Sequence, residues 1–69
     1  MRVSARNVLK GKVKKVTDGM VNAEVVIQLP GGQDVVAVIT KNSSHSLGLA
    51  VGKEVYAVIR ATNVMVGVD

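Results

Sequence analysis

The chain has 69 residues and a formal net charge of +4; hydrophobic residues make up 48% of it, yet Tyr56 is its single aromatic. It has no cysteine and one histidine, His45, which excludes disulfides, thiolate metal sites and a histidine-rich metal centre within one chain. A chain this short forms one domain at most, predicted over 1–69, with a core too small for much stability alone; oligomerisation is the remaining common support.

The opening residues, Met1 to Asn7, are not followed by a long apolar run with a small-residue cleavage site, so no signal peptide is expected. No apolar stretch approaches the roughly 20 residues that span a bilayer. The expectation is a cytoplasmic protein with no membrane association. Arg2, Arg6, Lys10, Lys12, Lys14 and Lys15 supply most of the nine basic residues. This asymmetry predicts a basic edge or face that attracts anions, whether nucleic acid, an acidic membrane or a small oxyanion.

Leu9 to Val16 is predicted as the first strand, with Leu9, Gly11 and Val13 on one face and Lys10, Lys12 and Lys14 on the other. The simplest reading of the lysine row is a solvated edge strand protected from unwanted pairing. Asp18-Gly19 signals a hairpin. The second strand, Met20 to Leu29, has the clearest alternation: Val21, Ala23, Val25, Ile27 and Leu29 against Asn22, Glu24 and Gln28. Pro30-Gly31-Gly32 ends it in a turn. The third strand is Gln33 to Thr40, apolar on both faces.

Lys41 to Gly52 breaks the pattern. Lys41-Asn42-Ser43-Ser44 fits a short helical turn capped by side-chain oxygens, and Leu47 and Leu49 are expected to plug the core. Lys53 to Arg60 is the fourth strand, with Val55, Ala57 and Ile59 opposed to Tyr56 and Val58. Asn63 to Val68 is expected to form a short fifth. The fold class that results is all-β: a five-stranded small barrel of the oligonucleotide/oligosaccharide-binding (OB) type, with a helical turn between strands three and four. A two-sheet sandwich is the alternative. A lone small barrel cannot bury strands that are apolar on both faces, so the outer face is expected to meet another subunit.

Catalysis finds little support. His45 lies among serines with no acidic residue nearby in sequence to orient it. The five carboxylates are scattered and form no acid/base pair or oxygen-ligand loop. Gly31-Gly32 lacks the Lys-Ser/Thr and helix of a phosphate loop. No enzyme activity and no direct metal ligation by protein groups are expected. A nucleic-acid-binding barrel is the alternative function, but such barrels stack bases on aromatic side chains, each worth about 1–3 kcal/mol, and here there is only Tyr56. A purely structural or regulatory interaction module is a third reading.

A tetrahedral oxyanion asks for less: several N–H groups, hydroxyls and one or two cations. Ser4-Ala5-Arg6-Asn7, the hydroxyls of Thr40 and Ser43, and Arg60 followed by the small Ala61 offer them. At these residues the chain resembles the molybdate-binding Mop or TOBE family, specifically the stand-alone molbindins. The likeness runs through Ser4-Ala5-Arg6-Asn7, Leu9-Lys10-Gly11, Asp18-Gly19, Ala23-Glu24-Val25, Gly31-Gly32, Ile39-Thr40 with Ser43, Leu47-Gly48-Leu49, Gly52-Lys53-Glu54-Val55 and Val58-Ile59-Arg60-Ala61.

The resemblance implies a five-stranded barrel and a homo-oligomer, a hexamer built as a trimer of dimers. It implies molybdate or tungstate as bound ligand, with no organic cofactor, stored between subunits. Ser4, Ala5 and Arg6 would then reach a neighbour's pocket, completed there by Thr40, Ser43, Arg60 and Ala61. Many relatives have lysine-serine where this chain has Arg60-Ala61, so the cation stays and Ala61 contributes through its main chain. The resemblance also implies a second kind of site near the threefold axis, for which the turns around Gly19 are the candidates.

Overall fold

The computed structural model describes residues 5–69. Four strands form one antiparallel sheet: β1 (Asn7–Asp18), β2 (Asn22–Gln28), β3 (Asp34–Thr40) and β4 (Glu54–Ile59), in the order β3-β2-β1-β4. A short helix, α1 (Lys41–Ser46), joins β3 to β4, and a 3-10 turn at Ala61–Asn63 follows β4. The architecture is all-β, as expected, with a helical element between its third and fourth strands; it is a curled sheet of four strands where a barrel of five was expected.

β1 is the strand on which the others depend. It has 12 residues and pairs with a different neighbour along each half. Its first half pairs with β4 from Asn7↔Ile59 to Lys12↔Glu54, and its second half pairs with β2 from Lys12↔Gln28 to Asp18↔Ala23. The register slips between Val13 and Lys15, a bulge that raises the local twist and bends the strand. Gly11 sits just before the bend, where an added Cβ would meet the Gln28 carbonyl at 2.7 Å and Ile27 Cγ2 at 2.8 Å.

The alternation read from sequence places the faces correctly. Gly11 and Val13 of β1, Ala23, Val25 and Ile27 of β2, and Ala57 of β4 are buried. Val35, Ile39, Leu49 and Val55 pack half-buried against them. Val36, Val38, Tyr56 and Val58 point outward and are exposed.

Four expectations need correction. Asn63–Val68 is not a strand: its start belongs to the 3-10 turn, and residues 64–69 join no ladder among the described residues. An extended segment needs a neighbouring strand to satisfy its N–H and C=O groups, and the described chain offers none. The lysines of β1 do not guard an edge, because β1 lies between β2 and β4; β3 and β4 are the edges. Val21 is 71% exposed and lies before β2. Leu49 joins the core but Leu47 is 59% exposed, since it caps the end of α1 and its side chain reaches only the rim of a groove.

That groove opens between the two edges. It has a volume of about 750 Å³ and is lined by residues of β3 and β4 together with Leu47, Leu49 and the β2 core residues Val25 and Ile27.

Gly11→Ala is expected to lower stability by about 1–3 kcal/mol, because the strands cannot part without losing the bend. Chemical denaturation would show this as a lower midpoint with an unchanged slope.

Candidate functional site

The candidate residues fall by register into two groups at opposite ends of β1. Ala5 and Arg6 precede β1, and Arg60 and Ala61 follow β4, so all four flank the end of the sheet where Asn7 pairs with Ile59. Ala5 is half-buried; Arg6, Arg60 and Ala61 are exposed. Ser4 lies outside the described residues. Arg60 precedes the 3-10 turn with an extended backbone (φ −65, ψ 139) and gives it no side-chain cap. Its carbonyl accepts from the Asn63 N–H at 2.9 Å. The first N–H groups of such a turn have no partner within it, so this corner combines donors with two guanidinium groups. Among the described residues, ion pairs join Lys10 to Glu54 (3.8 Å) and Lys14 to Asp34 (3.0 Å), and neither involves Arg6 or Arg60. Two guanidinium groups without a carboxylate in contact among the described residues suit an anion.

The second group lies where β3 becomes α1. Thr40 pairs with Asn22 of β2, near the Asp18 end of β1. Thr40, with an extended backbone, is the N-cap of α1: the Ser43 N–H donates to its Oγ1 at 3.1 Å, and its hydroxyl donates to Ser43 Oγ at 2.7 Å. The Ser43 N–H is thus occupied by the cap. Ser43 Oγ accepts the one bond from Thr40 and keeps its own proton for an outside acceptor. The Lys41 N–H donates to the Val21 carbonyl at 2.7 Å, and the His45–Asp18 contact adds a second link from α1 to the end of β1.

The sequence reading missed how α1 ends. Gly48 has a positive φ of 63. Its N–H donates to the His45 carbonyl (3.0 Å), and the Leu49 N–H donates to Ser44 (3.1 Å), the paired closure of a left-handed C-cap. Lys53 Nζ then takes the carbonyls of Leu47 at 2.5 Å and Gly48 at 3.4 Å. The legible signal was Gly48 just past the helical pattern; the reach of a lysine from the next strand has no local signature. Among the described residues no cluster of His, Cys, Asp or Glu is arranged to hold a metal ion, and no helix is long and apolar enough to cross a membrane.

The TOBE domain model matches residues 3–66. The chain is 49% identical over 69 residues to a probable molybdenum-pterin-binding protein of Haemophilus influenzae, covering 100% of both. Its fold matches apo MopII of Clostridium pasteurianum with a TM-score of 0.92 at 42% identity, covering 97% of this chain and 100% of that one. It also matches the cytoplasmic molybdate-binding protein ModG, with molybdate bound, with a TM-score of 0.84 at 56% identity over 88% of this chain and 43% of that one.

Thr40→Val removes both the N-cap acceptor and the donor to Ser43 and is expected to lower stability by about 1 kcal/mol. Thr40→Ser should restore most of it in thermal unfolding monitored by circular dichroism.

With the model covering most of its length and these likenesses spanning nearly all of it, the chain belongs to the TOBE domain family, alongside the molybdenum-pterin-binding Mop proteins.

Proposed function

We propose that this chain binds molybdate or tungstate between subunits of a homo-oligomer and acts as a cytoplasmic reservoir for the anion, not as an enzyme. One observation carries the reading: the candidate donors form two incomplete groups at opposite ends of β1, each with too few donors to strip a dianion of its water. Copies packed with one end against the other's complementary end would bring cations and hydroxyls together. A relative that matches along its whole length is a probable molybdenum-pterin-binding protein, and ModG holds molybdate; both support the choice of ligand.

Chemistry supports the same choice. Molybdate carries no proton at neutral pH, so every oxygen accepts. Monohydrogen phosphate keeps one O–H, and a pocket of donors without a carboxylate would leave it unsatisfied at about 1–3 kcal/mol.

The exposed apolar surface supports assembly, for which a hexamer built as a trimer of dimers is the proposed form. Val36, Val38, Tyr56 and Val58 flank the open groove, and Met65, Val66 and Val68 are more than nine-tenths exposed at 91%, 93% and 95%. Burying a valine side chain fully contributes about 1.5–3 kcal/mol. A strand-like segment from a second copy would cover the groove and satisfy the edges of β3 and β4 together.

Calorimetric titration with molybdate, tungstate and sulfate tests the ligand. Saturable heat is expected with the first two, and none with molybdate up to about millimolar concentration would overturn the reading. Arg60→Ala should weaken binding about tenfold to a hundredfold while light scattering reports an unchanged assembly.

A chain ending at Asn63 is expected to form a smaller assembly than the full chain in the same light-scattering measurement. An undiminished mass would remove the tail from the interface.

A further inference from the structure

α1 has six residues, far short of the roughly 12–15 that an isolated helix needs, so its position depends on what holds its ends. Thr40 and the Val21 carbonyl hold the first end. At the last end, the carbonyls of Leu47 and Gly48 remain after the left-handed cap has used those of Ser44 and His45, and Lys53 Nζ donates to both. His45, the basic residue of the last turn, lies instead against Asp18.

Lys53 is well placed to transmit rigidity. Its N–H donates to the Ala50 carbonyl at 3.1 Å and its carbonyl accepts from the Val13 N–H at 2.9 Å; the Gly52 N–H donates to the Val13 carbonyl at 2.8 Å. Its backbone is thus tied to the bend of β1 while its ammonium sits at the negative end of α1.

We propose that Lys53 is a positioning residue for oxyanion binding: it anchors α1 to the bend of β1 and so holds the Thr40 and Ser43 hydroxyls in place before the anion arrives. The inference rests on reading Thr40 and Ser43 as oxyanion donors. Without the ammonium the last turn frays, and the anion must order α1 as it binds, which weakens affinity.

The test is calorimetry with molybdate on the full-chain assembly of the wild type, Lys53→Met, Lys53→Arg and Lys15→Met, with hydrogen exchange read at the Leu47 and Leu49 amides. Lys15 is exposed on β1 and serves as a control for equal charge loss. Lys53→Met should bind about tenfold more weakly with faster exchange at both amides, Lys53→Arg should recover to within about threefold, and Lys15→Met should bind like the wild type. Wild-type affinity in Lys53→Met despite faster exchange overturns the proposal, because Lys53 would then only stabilise the loop. Equal losses in Lys53→Met and Lys15→Met overturn it too, by assigning the effect to net charge. A wild type that binds no molybdate overturns the oxyanion reading itself, and this proposal with it.

Discussion

The bend in β1 is the constraint from which the rest follows. A single strand pairs with two partners along its two halves, and Lys12 is opposite both Gln28 and Glu54. The bulge and the absence of a side chain at Gly11 let the strand turn while Ile27 and Gln28 press against it. That turn curls the sheet, brings Val13, Val25, Ile27 and Ala57 into one core, and leaves β3 and β4 as edges facing a common groove.

The same bend distributes the chemistry. Residues before β1 and after β4, Arg6 and Arg60 among them, flank one end, beyond the Asn7↔Ile59 pair. Thr40 and Ser43 gather at the other. Under the proposed reading, neither end alone has the donor count that a desolvated dianion demands, which ties binding to assembly. The apolar outer faces of β3 and β4 point the same way: buried fully within one chain they would need a second layer, and the described chain has none.

α1 is a different kind of element. It has little stability of its own and is stapled at both ends, by Thr40 and the Val21 carbonyl at its start and by Gly48 and Lys53 at its end. Its side chains add little to the core, where only Ser44 among them is buried. Its placement serves the junction with β3, where two hydroxyls stand three residues apart and one orients the other.

Period-two alternation was enough to assign the faces of the strands: Ala23, Val25 and Ile27 inward, Val36, Val38, Tyr56 and Val58 outward. The helical break was equally legible, because caps and turns draw on a short list of side chains. Strand order was not legible. Lysines on the outer face look the same in sequence whether a strand is at an edge or, like β1, in the middle, since alternation reports a face and never a neighbour. Asn63–Val68 has strand composition yet forms no ladder among the described residues, because a strand exists only with a partner. The reach of Lys53 to α1 is likewise a long-range fact. The tertiary structure alone decided it, because the backbone of Lys53 is held by Val13 where β1 bends.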